Sequence, residues 1–138
     1  MAKRAVVIGL AHFGFCLAQE ARRMGFDVLG IDKSEQVVRD LEGQLTTVVQ
    51  GDAKSERLLR ELGIGDYDLA IVAVRLDIEA SILITLLVKE MGVRQVVAMC
   101  TSPLHMRALK RSGADTVIKL GEDASDAACT AMLRKALE

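Results

Sequence analysis

The sequence predicts an α/β protein in which a doubly wound parallel sheet of six strands carries helices on both faces. Three observations support this prediction. Apolar runs alternate with amphipathic segments along the whole chain, a glycine-containing turn follows the first run, and the fourth run is apolar throughout, as in a central parallel strand. With 138 residues and 51% hydrophobic content, the chain is expected to form one domain over residues 1–138.

The first 32 residues carry the most informative motif. Gly9 and Gly14 stand at the first and third glycine positions of the turn that binds a pyrophosphate in dinucleotide-binding folds, whereas Ala11 replaces the second glycine. Asp32 follows Gly9 by 23 residues, close to the spacing of about 20 at which an acid binds the ribose. This unit predicts a Rossmann-type nucleotide site. Asp32 with Glu35 also fits the capping box of a second helix, and the two roles are compatible.

Strands and helices follow one another in strict alternation. Hydrophobic pattern and β-branched content predict strands over residues 4–8, 27–31, 46–50, 69–74, 95–99 and 116–120. Helical spacing, caps and glycine stops predict helices over residues 13–24, 34–41, 54–62, 77–91, 103–112 and 123–137. The expected strand order is 3-2-1-4-5-6, in which the direction of strand addition switches between the first and fourth strands.

Ligands of such sheets bind outside the carboxyl ends of the strands at that crevice. The residues placed there are 9–13, 32–33, 51–53, 73–77 and 99–101, and the predicted contacts among them include Leu10, Ala11, Lys33, Val74, Arg75 and Cys100. Two of the crevice residues have a second interpretation. Asp52 either orients the adenine end of a nucleotide or caps the third helix. Arg75 either holds phosphate or pairs with Asp77 or Glu79 on the surface.

Composition excludes several classes of function. A net charge of −1 and a pI near 6.1 provide no basic surface for nucleic acid. No apolar run approaches the roughly 18 residues of a membrane span, and no signal peptide precedes the first strand, so we expect a cytoplasmic protein that does not insert into the membrane. The odd number of cysteines and their spacing predict buried thiols rather than disulfides or a metal site; they are Cys16, Cys100 and Cys129.

The fourth helix is apolar over more of its circumference than one core-facing stripe needs. Together with the fifth and sixth helices it is expected to form a symmetric dimer or a larger ring. Catalytic groups are not evident, since Tyr67 lacks a lysine four residues on and His105 is expected on a helix surface. The alternative to a non-enzymatic role is the nucleotide-binding part of an NAD-dependent oxidoreductase that lacks its catalytic half. A phospho-acceptor receiver domain is disfavoured, because glycine and alanine follow the first strand where that fold has acids.

The ordered motifs resemble those of the KTN or RCK N-terminal domain of the Trk/Ktr-type potassium-transport regulators. The segments that carry the resemblance are residues 7–14, 25–32, 48–53, 71–74 and 112–118. The resemblance implies a cytosolic domain that binds NAD(H), ATP, ADP or AMP, forms dimers or higher rings, and gates a membrane potassium transporter or channel at the inner face of the membrane. By motif position it assigns nucleotide contacts to Gly9, His12, Phe13, Asp32, Asp52, Ala53 and Ala73.

Three residues depart from the family pattern. Ala11 replaces a glycine, His12 stands where a more basic residue is common, and Met99 stands where a basic residue often follows the fifth strand. The departures at His12 and Met99 weaken or remove expected partners for phosphate, for which Arg75 is a possible replacement.

Overall fold

The computed structural model describes residues 2–120 and 125–138, and in these ranges six parallel strands form one sheet in the order β3-β2-β1-β4-β5-β6. The Rossmann-type doubly wound fold is thereby confirmed. The strands are β1 (Arg4–Ile8), β2 (Asp27–Asp32), β3 (Thr47–Gln50), β4 (Leu69–Val72), β5 (Gln95–Cys100) and β6 (Thr116–Lys119). The helices are α1 (His12–Arg23), α2 (Glu35–Leu41), α3 (Glu56–Glu61), α4 (Ile78–Glu90), α5 (Pro103–Arg111) and α6 (Asp126–Ala136).

Helices cover both faces of the sheet because alternate residues of the strands point to opposite sides. In β1, Val6 and Ile8 join the core beneath α3, α4 and α5, whereas Ala5 and Val7 join the core beneath α1, α2 and α6. All four side chains are essentially inaccessible to solvent. The central strands are therefore buried on both faces, as their continuous apolar sequence requires.

The largest strand error concerns β4, which was predicted to reach residue 74 and ends at Val72. Ile8 is the last residue of β1 and pairs with Val72, and Gly9 then turns the chain away with φ near +91°. The N–H of Ala73 still donates to the carbonyl of Ile8 at 2.8 Å. Beyond that bond β1 offers β4 no further partner.

Three helices begin one or two residues later than predicted, each directly after a residue whose side chain caps it. Ser34 caps α2, Ser55 caps α3 and Asp77 caps α4, each accepting a hydrogen bond from the backbone N–H three residues on. The prediction that Asp32 is the N-cap of α2 is therefore wrong. The predicted start of the sixth helix, at residue 123, lies outside the described residues. A short 3-10 turn, Ile64–Asp66, was not predicted.

The prediction of a surface position for His105 is also wrong. The side chain is 2% exposed and lies between α4 and α5, with its Nε2 2.7 Å from the hydroxyl oxygen of Ser81. The N–H of Thr101 donates to Nδ1 at 3.1 Å, and the Ser81 hydroxyl donates onward to the carbonyl of Ile78. These bonds require a neutral ring with its proton on Nε2. Burial lowers the pKa of His105 below its usual value near 6.5.

This environment predicts that acid destabilises the fold. Since the folded pKa of His105 lies below the unfolded one, the unfolded chain binds more protons between the two values, and stability falls as pH drops below about 6.5. Urea unfolding at pH 7.5 and 5.5 should show a larger loss for wild type than for His105→Gln, which keeps a donor and an acceptor but does not titrate. An equal loss in both proteins would assign the acid sensitivity to other groups.

Two of the three cysteines meet the expectation of buried thiols. Cys100 and Cys129 are buried, whereas Cys16 is half-buried, and all three are free thiols. Burial raises the pKa of Cys129 to about 11, which makes its thiol unreactive. Among the described residues, no helix is long and apolar enough to cross a membrane.

Candidate functional site

A cleft of about 210 Å³ opens at the carboxyl ends of β1, β2, β3 and β4, where the strand order reverses. This is the position predicted for a ligand. The residues that line it are Ile8, Gly9, Ala11, Ile31, Asp32, Lys33, Gly51, Asp52, Ala53, Val74, Asp77, Ala80 and Ile84. Seven of the predicted site residues are among them, namely Gly9, Ala11, Asp32, Lys33, Asp52, Ala53 and Val74.

The turn after β1 depends on two glycines for different reasons. Gly9 has φ near +91°, a conformation that favours glycine, and Val74 and Ala73 lie directly against its Cα. Gly14 lies in the first turn of α1, and a methyl group at this position would come within 1.7 Å of the carbonyl oxygen of Gly9. The predicted close packing of helix on strand is therefore present.

Ala11 is the N-cap of α1 and differs from the other helix caps. Its side chain makes no capping bond and it lies exposed at the edge of the cleft. The five other α-helices are capped by a serine or aspartate side chain; their caps are Ser34, Ser55, Asp77, Ser102 and Ser125. The first turn of α1 therefore presents backbone N–H groups that no capping side chain occupies, the arrangement that favours an anion.

Asp32 holds the glycine turn and the start of α2 together. Its Oδ2 accepts the N–H of Leu10 at 2.8 Å, and its Oδ1 accepts the N–H of Ser34 at 2.8 Å. Each carboxylate oxygen has a second lone pair, so the group can accept two further hydrogen bonds from a ligand in the cleft. Sequence reasoning placed this residue at the crevice, where it lies, but did not foresee that both carboxylate oxygens accept backbone N–H groups.

Asp52 lies across the cleft from the glycine turn and does not cap α3. Its Oδ1 accepts the N–H of Lys54 at 2.9 Å, and the cap is Ser55. The capping interpretation of Asp52 is therefore wrong, while its position in the cleft agrees with the ligand-contact interpretation. Lys33 and Ala53 line the same end of the cleft.

Three predicted contacts form a group beside the cleft at the start of α1. The rings of His12 and Phe13 meet edge to face with centroids 4.9 Å apart, and the Arg75 guanidinium lies 5.2 Å above the centre of the Phe13 ring. Among the described residues, Arg75 forms no ion pair with Asp77 or Glu79, so that surface interpretation is not supported. The ring of His12 contacts the carboxylate of Asp126, at the start of α6.

The remaining predicted contacts do not line the cleft. Leu10 and Cys100 are buried in the two cores, and the half-buried Ala73 packs against the core beneath α1. Burial raises the pKa of the Cys100 thiol. Met99 is fully buried as well, so its side chain faces the core rather than the crevice.

Sequence reasoning missed the apolar floor of the cleft. Ile8 ends β1 and Ile31 is the residue before the end of β2, while Ala80 and Ile84 occupy successive turns of α4 on the side that faces the cleft. Ala80 and Ile84 are four residues apart and so lie on one face of α4, which was a usable signal. Sequence reasoning assigned that face to the core alone. An apolar floor with carboxylates at its rim suits a flat, uncharged ring joined to hydroxyl groups.

The charged side chains that line the cleft are Asp32, Lys33, Asp52 and Asp77. The described residues contain no cluster of histidine, cysteine, aspartate and glutamate that could hold a metal ion. The buried His105 lies between α4 and α5, outside the lining of the cleft, and bonds to groups of the fold itself.

Comparison with known proteins decides the family. The model of the TrkA-N domain matches residues 5–120. The chain belongs to the TrkA-N domain family. A Ktr system potassium uptake protein A from Vibrio alginolyticus is 33% identical over 133 residues, which cover 96% of this chain and 60% of that protein. The protein of the same name from Bacillus subtilis is 36% identical over 121 residues, covering 88% and 54%. This TrkA-N chain thus spans between half and two thirds of the length of these relatives.

Solved structures share this fold. The TrkA-N domain of the inner membrane protein ybaL from Escherichia coli matches with a TM-score of 0.78 at 14% identity, covering 100% of this chain and 98% of that one. A structure described as the GsuK channel bound to NAD matches with a TM-score of 0.73 at 18% identity, covering 86% and 21%. At these identities the likeness concerns the fold. The Trk/Ktr-type resemblance found in the sequence is confirmed by the family and by its Ktr relatives.

Proposed function

We propose that this TrkA-N domain binds an adenine nucleotide, NAD(H) or one of ATP, ADP and AMP, in the cleft at the strand reversal, without chemistry of its own. The observation that carries the proposal is Asp32, whose carboxylate lies at the rim of an apolar cleft and is oriented by the N–H groups of Leu10 and Ser34. Such a carboxylate accepts both ribose hydroxyls. The structural relative whose description names bound NAD supports the same ligand class.

The parts of the nucleotide correspond to parts of the cleft. The apolar floor of Ile31, Ala80 and Ile84 accommodates the adenine ring, with Asp52 at its polar edge. The ribose lies at Asp32, and the phosphates lie over the first turn of α1, whose cap Ala11 leaves the N–H groups accessible. His12 and Arg75 flank that turn and provide donors that phosphate oxygens can accept from.

Calorimetric titration of the protein with adenosine, AMP, ADP, ATP, NAD and NADH tests the proposal. We expect saturable binding of adenosine and of at least one nucleotide with one site per chain. Uridine and UDP serve as matched controls and should bind more weakly, because a single pyrimidine ring buries less apolar surface against the floor of the cleft. An absence of heat with every adenosine ligand would contradict the proposal.

We further propose that the domain regulates potassium transport through a membrane transporter or channel subunit, from the cytoplasmic face of the membrane. Relatives that are potassium uptake proteins support a regulatory, non-enzymatic role. Deleting the gene in its host should impair potassium uptake, and complementation should require Asp32. Full complementation by a variant with alanine at position 32 that no longer binds nucleotide would separate nucleotide binding from regulation.

Assembly into dimers or higher rings is the third part of the proposal. Large apolar side chains remain exposed along one side of α4 and at the start of α5, where Ile78 is 45%, Leu83 is 40%, Leu86 is 39% and Leu104 is 65% exposed. Leu76, in the loop before α4, is 82% exposed. Large apolar side chains exposed on two neighbouring helices favour a surface that another protein copy covers.

Light scattering is expected to show a dimer or larger species at high micromolar concentration. Leu86→Glu places a charge in the middle of this surface and should shift the protein to monomer. Gln36→Glu adds the same charge at an exposed position of α2 and should leave the assembly intact. A wild-type monomer over the whole concentration range would rule out assembly through this surface.

A further inference from the structure

The first residue of α6 contacts the turn at which the proposed phosphates lie. Nε2 of His12 is 2.8 Å from Oδ1 of Asp126, and the thiol of Cys16 is 3.9 Å from the carbonyl oxygen of Asp126. His12 is the first residue of α1, so Asp126 brings a carboxylate to the mouth of the uncapped helix end. The two partners are 114 residues apart in the chain, and the contact depends on the packing of α6 on α1.

Asp126 bonds to the ring of His12, which a phosphate would also use as a donor. Its carboxylate does not occupy the anion position at the first backbone N–H groups of α1. It makes no capping bond to α1, whose cap is Ala11. A nucleotide with its ribose at Asp32 directs its phosphates toward the same turn, because the N–H of Leu10 ties Asp32 to that turn. Phosphate and the Asp126 carboxylate therefore compete for His12, and as like charges they repel one another.

We propose that Asp126 is a specificity-determining residue that disfavours nucleotides with more phosphate charge and couples their binding to the first turn of α6. The proposal rests on the proposed nucleotide site. Adenosine carries no phosphate and leaves the His12–Asp126 pair in place. ADP engages His12 and displaces Asp126, so part of its binding free energy is spent on separating that pair.

Only the first turn of α6 is expected to move, because the rest of the helix is held independently. Glu20 of α1 is 4% exposed and accepts hydrogen bonds from Arg134 of α6 and Arg23. Cys129 and Leu133 are fully buried against α1 and the sheet. Removing the Asp126 contact thus leaves the ion pair of Glu20 with Arg134 and the apolar contacts of the later turns intact.

The substitution Asp126→Asn tests the proposal because it removes the charge and preserves the shape. We expect adenosine to bind wild type and variant equally, and ADP to bind the variant about fourfold more tightly, the effect of one unit charge at about 5 Å in water. Glu138→Gln is the matched control, since it removes the same charge beyond the far end of α6. It should leave the ratio of ADP to adenosine affinity unchanged.

Hydrogen exchange gives a second readout that a purely local charge effect would not change. The N–H of Ala128 donates to Ser125 Oγ and that of Cys129 to the Ser125 carbonyl, and both should exchange faster in wild type saturated with ADP than with adenosine. In Asp126→Asn the two ligands should give equal exchange. An unchanged ADP to adenosine ratio in Asp126→Asn, or slower exchange of these amides with ADP, overturns the proposal while the nucleotide site stands. If adenosine and ADP both fail to bind, the proposed nucleotide site and the proposed role of Asp126 are both wrong.

Discussion

Gly14→Ala is expected to destabilise the protein by more than about 3 kcal/mol, at the upper end of the range for overpacking. The added methyl group would lie 1.7 Å from the carbonyl oxygen of Gly9. Neither group can rotate away, because the carbonyl is part of the backbone and a Cβ is fixed by it. Relief requires α1 to move off the sheet, where Leu17, Ala18 and Ala21 are fully buried. Since whole domains are stable by about 5–15 kcal/mol, urea denaturation should show a large loss or an unfolded protein.

Gly51→Ala is the matched control for that experiment. Its added methyl group would meet only the terminal methyl groups of Leu58. A leucine side chain that is half-buried can change rotamer, so the loss should be about 1 kcal/mol or less. Similar losses in both variants would show that the helix-to-strand contact at Gly14 is not especially tight.

Asp32→Ala is expected to weaken the binding of adenosine ligands by about thirtyfold or more. Hydrogen bonds to a charged acceptor are worth about 1.5–3 kcal/mol each, and loss of one such bond of about 2 kcal/mol accounts for that factor. The same carboxylate repels a 2′-phosphate, so wild type should prefer NAD to NADP and the variant should lose the preference. Calorimetry with the two dinucleotides measures both effects.

The variant also leaves the N–H groups of Leu10 and Ser34 without their partner, so its stability must be measured alongside binding. Asp68→Ala is the matched control, because Asp68 Oδ2 accepts the N–H of Arg4 at 2.8 Å at the opposite end of the sheet. Asp68→Ala should lower the free energy of unfolding and leave the affinity for adenosine ligands unchanged. Unaltered binding by Asp32→Ala, or equal affinities of wild type for NAD and NADP, would remove Asp32 from the ribose site.

The strand order and the glycine turn were predictable because they follow from patterns that are local in sequence. Alternating apolar runs and helical stretches determine a parallel sheet, and the separation of Gly9 from Asp32 places an acid beside the turn. Each strand bound differs from its prediction by two residues or fewer. Errors of this size arise where the partner strand ends, as at Val72, which sequence pattern alone does not encode.

The errors at the starts of α2 and α3 share one physical cause. Asp32 and Asp52 each accept the N–H of the residue two positions on, and a serine shortly after each of them then caps the helix. Both residue types favour helix N-termini, so composition could not decide which one acts as the cap. The result releases both carboxylates from capping and leaves them at the cleft.

Contacts between distant residues account for what the sequence could not provide. The burial of His105 depends on Ser81, 24 residues away, and the position of His12 depends on Asp126. Neither histidine has a neighbour in sequence that indicates its partner. The apolar floor of the cleft was hidden in a similar way, because Ala80 and Ile84 have the spacing of ordinary core residues.

Nuclear magnetic resonance mapping of the wild-type protein with ADP tests the central claim most directly, since each backbone amide reports its own surroundings. We expect the largest chemical-shift changes at saturation for Leu10, Ala11 and His12 in the glycine turn, for Lys33 and Ser34 beside Asp32, and for Ala53 across the cleft. Amides of β6 and of the last turn of α5 should remain unchanged. Shifts confined to β6 and α5, with the glycine turn and the amides beside Asp32 unaffected at saturation, would contradict a nucleotide site in this cleft.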